Sequence, residues 1–341
     1  MYRLYVSILL FIFGVETGKI YGVDVTLLPI DEYTSRTPSF NAAESSLSQV
    51  LTEVTRAEQS HEVVNVGRLK MSEFAKRSLA RMWAVTPFTC PDEEIVEKCW
   101  VMKNGTMLVR HIPLLIKPEG ETFGMNHFQE AVVEFDKNGT ITDFRLTISP
   151  QQEQDIDKCG VKDVEKQHII KKQLEQFRTA YNQKDIETID AMFSNDALII
   201  TGKVVRRRTS NEMFPTSSKV EYTRLTKQQY IANLKKAFAR NKWIDVKFEI
   251  PTSGIVKGCD WLTSSKRKDE NGNPLPFYGV RLIQKWKSSN YHDEGYLFLL
   301  WEFPQNGGEP IIHVRTWQPL EVDGVIQEPD DDISTLGGFN L

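Results

Sequence analysis

The apolar positions of the first half change period partway along. Leu47, Val50, Leu51 and Val54 repeat at helical spacing, which predicts a helix from about Ser45. Met71, Phe74, Ala75, Leu79 and Met82 predict a second, ended by Pro87 and Pro91. Beyond them the period falls toward two. Ile95–Met102 and Met107–Ile116 flank Lys103-Asn104-Gly105, and Ala131–Phe135 and Ile141–Ile148 flank Asp136-Lys137-Asn138-Gly139. Asn-Gly between apolar runs predicts a hairpin at each place, because both residues tolerate positive φ. Both Asn-Gly-Thr triplets also fit a glycosylation acceptor, but the turn accounts for the same residues.

The second half repeats the order. Ile170, Leu174, Phe177 and Tyr181 form one stripe, and Asn182-Gln183-Lys184 turns the chain. Asp185 caps a short helix with Ile186, Ile189 and Phe193, and a strand follows at Ala197–Thr201. Thr226 with Gln229 is a capping box before Tyr230, Leu234 and Phe238. Strands are expected at Trp243–Ile250, Tyr278–Trp286, Tyr296–Phe303 and Ile311–Trp317, with Gly254–Pro276 as a long hairpin insertion serving as a lid or partner loop. The fold class is therefore α+β. The expected division is a signal at 1–22, an extended lead-in at 23–44, a first domain at 45–150, a polar linker at 151–163, a second domain at 164–320 and a disordered acidic tail at 321–341.

The signal reading rests on Arg3 and the apolar run Leu4–Val15, too short for a bilayer at about 20 residues. It predicts a secreted or periplasmic protein with no transmembrane span. The 341 residues suffice for two cores. With 42 Lys+Arg against 46 Asp+Glu, a net charge of −4 argues against a nucleic-acid partner, and Arg206-Arg207-Arg208 reads as a solvated loop. The four cysteines and six histidines fit no zinc spacing, so no metal is expected. Cys90 and Cys99 are close enough in sequence to be bridged, or are two buried thiols. No phosphate loop, dinucleotide fingerprint or nucleophile elbow occurs.

Phe177-Arg178-Thr179-Ala180-Tyr181-Asn182-Gln183-Lys184-Asp185, Phe193-Ser194-Asn195-Asp196-Ala197, Glu294–Phe298 and His313–Pro319 resemble the nuclear transport factor two-like, or SnoaL-like, superfamily. The closing segments resemble its exported bacterial members of unknown function. The resemblance spans about Val164 to Pro319 and implies helices packed into a bent sheet, a cone. The first half is similar only in its order of elements, which suggests a tandem pair of cones.

Such families hold isomerase-like, cyclase and dehydratase enzymes as well as non-catalytic binding modules, so the fold leaves function open. As catalytic candidates the resemblance points to Asp196, His313 and Tyr181. Tyr230, Gln284, Trp286, Arg315 and Trp317 are candidates for a pocket or an interface. Asp196 also reads as a strand-entry residue, and Tyr181 and Tyr230 also continue apolar stripes. On the last strand Ile312, Val314 and Thr316 are expected to face the core and His313, Arg315 and Trp317 the opposite side, covered by a domain or subunit. No acid–base pair follows from spacing. The favoured function is thus an exported non-catalytic protein, without cofactor, that binds a small apolar molecule or a protein partner, with a homodimer formed through the sheet. The alternative is an enzyme of the isomerase, cyclase or dehydratase type. N-terminal sequencing of the protein from its native host should begin between about Gly18 and Asp24, near the end of such a signal; a chain beginning at Met1 would exclude export by this route.

Overall fold

The computed structural model describes residues 22–30, 36–122, 124, 127–158, 164–205, 218–249, 259–268, 271–304, 308–330, 332 and 339. The run Leu4–Val15, Arg206–Arg208 and part of the Gly254–Pro276 insertion lie outside them.

In the first half, β1 (Asp24–Pro29), α1 (Pro38–Gln59), α2 (Glu73–Val85), β2 (Phe88–Thr89), β3 (Glu94–Val101), β4 (Met107–Ile116), β5 (Phe128–Phe135) and β6 (Ile141–Leu146) form one unit. Its sheet runs β1-β3-β4-β5-β6, with β2 beside β4 and β1 parallel to β3. The lead-in is thus not merely extended: it supplies a strand, and α1 starts at Pro38, before Ser45, where proline's fixed φ suits the first turn. Leu47, Val50, Leu51 and Val54 are fully buried, as their stripe requires. Ser72 caps α2 by accepting the Ala75 N–H at 3.1 Å. Phe74, expected on the apolar stripe, lies exposed. Both expected hairpins form, with Gly105 and Gly139 at φ 80° and 72°. A Cβ on Gly139 would stand 2.6 Å from the Ala43 nitrogen, so the turn presses on α1, where Ser46 Oγ donates to the Gly139 carbonyl at 2.7 Å.

Cys90 and Cys99 are buried free thiols in this core, so the bridged alternative is not realised. Each sulfur points at a different carbonyl, Asp92 and Trp100 respectively. Burial pushes each thiol up to about 11, which leaves it inert.

The second half contains α3 (Pro150–Lys158), α4 (Val164–Asn182), α5 (Ile186–Met192), β7 (Phe193–Val205), β8 (Lys219–Leu225), α6 (Lys227–Arg240), β9 (Ile244–Glu249), β10 (Cys259–Lys268), β11 (Pro274–Ser288), β12 (His292–Glu302), β13 (Ile311–Pro319), β14 (Glu321–Val322) and β15 (Val325–Ile326). The sheet runs β10-β11-β12-β13-β7-β8, with β9 also on β11 and β13 parallel to β7. Asp185 and the Thr226–Gln229 box cap α5 and α6 as read from sequence. The fold class is α+β, two sheets each packed with helices. No described helix is long and apolar enough to cross a membrane.

Two segments differ from expectation. The stretch 151–163, read as a polar linker, is helix α3 over its described part. Gln152 and Ile156 are buried there, and Arg110 of β4 donates to Glu153 at 2.5 Å, so its polarity satisfies partners instead of water. The described part of the tail is ordered: β14 and β15 pair around Gly324, the Gln318 amide holds the Glu328 carbonyl and the Asp330 N–H, and Phe339 stacks on Phe298 at 5.7 Å.

Helix α4 joins the two units because it is buried on both sides. Ile170, Leu174, Phe177 and Tyr181 face the second core. Its other face turns to the first sheet and is polar. There Glu175, fully buried, accepts from Arg110 of β4 and, at 2.9 Å, from Arg145 of β6. Arg145 also meets Glu134 at 2.7 Å and Asp143 at 3.0 Å. Arg178 donates to the Thr147 carbonyl, to Gln129 at 2.6 Å and, on the second sheet, to the Val246 carbonyl at 2.9 Å. Burial opposes the charge of Glu175, yet Arg110 and Arg145 outweigh it and hold the carboxyl below its ordinary range.

Glu175→Gln keeps the shape and leaves two buried guanidinium groups undercompensated, so unfolding in denaturant should come earlier by about 3–5 kcal/mol. Because the folded-state value is depressed, the contribution of Glu175 is complete at neutral pH and is lost as pH falls below the ordinary carboxylate range. The variant should therefore lose less stability on acidification than the parent; an equal loss would show that Glu175 carries none of it.

Candidate functional site

A β-bulge decides which residues face the interior of the second unit. The register between β12 and β13 slips after Leu300, and that between β13 and β7 slips between Ile312 and Val314. Against β12 the extra residue is His313. A bulge interrupts the alternation of faces. Ile312 lies in the core under the helices, but Val314 belongs to the cluster on the other side with Phe277, Phe298 and Leu300. Arg315 and Trp317 then turn inward. The expectation that Ile312, Val314 and Thr316 share the core face, with His313, Arg315 and Trp317 opposite, fails at this point.

The inner face gathers Tyr181 from α4, Tyr230 from α6, Gln284 and Trp286 from β11, and Arg315 and Trp317 from β13. The Tyr181 and Tyr230 hydroxyls share a hydrogen bond. The Arg315 guanidinium lies over the Tyr230 ring, 5.0 Å from its centroid, and donates from Nη2 to Gln284 Oε1 at 3.4 Å. Trp286 meets Tyr181 edge-on at 5.7 Å. Burial pushes the Tyr181 hydroxyl well above the ordinary phenol value, and its neighbour Tyr230 adds to this. Burial works against Arg315 too, but the two tyrosines and Asp293 keep it charged.

Asp293, Gly295 and Leu297 alternate onto the same face of β12, in register with Trp286, Gln284 and Leu282. Its spacing of two and four residues from Gly295 and Leu297 is the sequence signal for Asp293, masked because the run is apolar only from Tyr296. Asp293 Oδ2 accepts from the Tyr291 hydroxyl at 2.9 Å, while Oδ1 is buried without a partner. Burial raises its carboxyl above the usual range, against the lowering effect of Tyr291 and Arg315. Asp293 acts on Arg315 by charge alone, Arg315 is bonded also to the Tyr181 hydroxyl, and among the described residues its Nε and Nη1 have no hydrogen-bond partner. Gly295 leaves the floor flat: a Cβ there would fall inside the Trp317 indole and against the Gln318 carbonyl.

Asp196 and His313 lie apart from this group. His313 Nε2 is 3.0 Å from Glu302 and Nδ1 is 3.5 Å from Asp196, and its ring meets Phe277 edge-on at 6.0 Å. Phe277 belongs to the outer cluster, so these two catalytic candidates sit on the outer side of the sheet, at the bulge, and not with Tyr181. Asp196 is largely exposed at the edge of β7, the strand-entry position that its sequence also fits.

The mouth of the inner face opens into a cleft of about 500 Å³ between the two units. The first unit contributes Met82, Ile116 and Leu146, the second Trp243, Trp286 and Asp293. The rim lysines are paired: Lys285 with Glu249 at 2.8 Å, Lys247 with Asp245 at 3.7 Å, and Lys287 with Glu121 across the units. Trp243 Nε1 donates to the Glu119 carbonyl at 3.0 Å. Among the described residues no group of three or more His, Cys, Asp or Glu is placed to hold a metal.

Helices held against one face of a sheet whose strands run β11-β12-β13-β7, with the polar side chains at the open end, form the cone that the sequence resemblance implies. The fold class is α+β. No family model matches the chain, and no curated protein matches its sequence. Among solved structures it is similar to a nuclear transport factor two-like protein from Cytophaga hutchinsonii, at 14% identity over 45% of this chain and 96% of that one, with a TM-score of 0.26. It is similar also to a protein of that class and of unknown function from Pseudomonas putida KT2440, at 10% identity over 49% and 99%, TM-score 0.30. With Bdellovibrio bacteriovorus Bd1075 it shares 11% identity over 54% of this chain, at a TM-score of 0.30, and it spans about half of that protein, 46%.

The cone's floor gives a direct prediction. Gly295→Ala should displace the Trp317 indole, shift tryptophan emission and cost about 1–3 kcal/mol of stability by overpacking. Unchanged emission would mean that Trp317 does not lie on β12.

Proposed function

We propose that this chain is an exported, non-catalytic binding protein that holds a small, largely apolar molecule in the cleft between its two units. The observation that carries the reading is the cleft itself. Its volume, about 500 Å³, lies within the range of about 300–1,000 Å³ typical of small-molecule sites. Met82, Ile116, Leu146, Trp243 and Trp286 give it apolar and aromatic surface, and the lysines at its rim are already paired. The interior behind it is occupied by the buried side chains of Tyr181, Tyr230 and Arg315, bonded or stacked on one another. Export is supported by Arg3 and the run Leu4–Val15. A tandem origin is supported by the order of helices before strands in both halves.

One observation favours a second reading. Asp293 is a carboxylate held above its usual range at the edge of the cleft, the property wanted in a general base of the isomerase or dehydratase type. That enzyme would use Asp293 instead of Asp196 or His313.

N-phenyl-1-naphthylamine, a neutral apolar dye, tests the first reading. It should bind saturably with one dye per chain, and Trp286→Ala should weaken it about tenfold through loss of a buried aromatic wall. Absence of saturable binding, or binding indifferent to Trp286→Ala and Trp243→Ala alike, would overturn the cleft as the site.

A further inference from the structure

A second groove, of about 420 Å³, adjoins the cleft and shares part of its wall. Gln129, Lys247 and Glu249 line both spaces. The floor follows α4: Asn182 lines the cleft, and Arg178, one turn earlier and about 6 Å along the helix, lines the groove. The polar side chains along this trough are already engaged. Arg178 donates to the Val246 and Thr147 carbonyls and to Gln129. Gln129 and Asn182 each donate to Asp245 at 3.4 Å, and Asn182 accepts the Val246 N–H. Glu130 bonds His111 at 2.7 Å, and Lys247 and Glu249 are paired with Asp245 and Lys285. Gln152 Nε2, a lining nitrogen without a partner among the described residues, is itself buried. What the groove offers is apolar surface from Pro113, Phe128, Ile148, Pro150 and Phe248. Phe128 is 44% exposed and belongs to none of the apolar clusters.

We infer that cleft and groove are one elongated site, so that the molecule bound is an uncharged lipid with an unbranched alkyl chain that runs along α4 from Trp286 in the cleft to Phe128 in the groove. The inference rests on the cleft reading above and adds the shape and chemical class of the ligand. A trough whose side-chain donors and acceptors are spent suits hydrocarbon. A peptide laid in it would bring an N–H and a C=O at every residue, and burying these without partners is costly. A compact ring system would fill the cleft and leave the apolar wall of the groove in water. A chain covers both, and each methylene fully withdrawn from water tightens binding about fourfold, the equivalent of about 0.8 kcal/mol. The ligand is uncharged because the lysines at the rim are held by Glu249, Asp245 and Glu121, which leaves none of them for an anionic head group.

Displacement of N-phenyl-1-naphthylamine from the full chain by straight-chain alkan-1-ols, from hexan-1-ol to tetradecan-1-ol, tests the elongated site. Affinity should rise with every added methylene up to tetradecan-1-ol. Phe128→Ala, at an exposed position outside both cores, should weaken tetradecan-1-ol about tenfold while leaving hexan-1-ol and the compact 1-adamantanol unchanged, because only the long chain reaches the groove. Trp286→Ala should weaken all three, since each occupies the cleft. A rise that stops at octan-1-ol, or a Phe128→Ala variant that binds tetradecan-1-ol like the parent or weakens every alcohol alike, overturns the elongated site; the cleft stands if the dye is still bound and displaced. Absence of saturable dye binding overturns both.

Discussion

Everything else in this molecule depends on how α4 buries its polar side. A helix normally hides one stripe and offers the rest to water. Here Ile170, Leu174, Phe177 and Tyr181 fill the second core, Glu175, Arg178 and Thr179 are buried against the first unit, and Asn182 is buried against β9. That arrangement is tolerable because each of these four polar side chains finds a partner. Glu175 takes two arginines, Arg178 takes two carbonyls and an amide, Thr179 Oγ1 accepts the Leu146 N–H at 2.9 Å, and Asn182 Oδ1 accepts the Val246 N–H at 2.7 Å. Fully satisfied networks of this kind fix one orientation, because any slip strands a charge. The two sheets are thus held at a set spacing, and the cleft between them is a consequence of that spacing.

The same logic separates the two arginines that matter most. Arg145 is fully buried and surrounded by Glu134, Asp143 and Glu175; its charge is spent within the protein. Arg315 is buried almost as deeply, but over the Tyr230 ring and beside Gln284 and the Tyr181 hydroxyl, with Asp293 at a remove. One is tied by carboxylates, and the other by a ring, a phenol and an amide. Burial alone does not distinguish them; the inventory of partners does.

Much of the architecture was legible from local rules. Stripes at helical spacing, Asn-Gly turns and the Thr226–Gln229 box each depend on a few neighbouring residues, and each appears where it was read. What escaped were features decided at long range. Helix α3 carries a polar sequence that reads as linker, and it is ordered because Arg110, forty-odd positions away, captures Glu153. Strand β8, whose Lys219–Leu225 is largely exposed, has no alternating apolar face to betray it. The buried polar side of α4 looked like a solvent face, since sequence does not reveal a partner sheet.

The bulge at His313 is the sharpest case, because a single extra residue inverted a whole assignment. Period-two reasoning put the apolar set Ile312, Val314 and Thr316 inward, on the sound ground that burying Arg315 is costly. The strand instead slips by one, so that Ile312 stays inside and Arg315 and Trp317 follow it. A bulge of this kind re-aims side chains at the cost of a broken ladder, and such costs are retained where the re-aimed groups have a use. Gly295 fits the same account: it removes the one side chain that would stop Trp317 from lying flat on β12. Slip, missing side chain and unpaired guanidinium all act on one small area of the sheet. Val314 packed outside with Phe277, Phe298 and Leu300, and Arg315 turned inside, both follow from that one slip, which no alternation in the sequence announces.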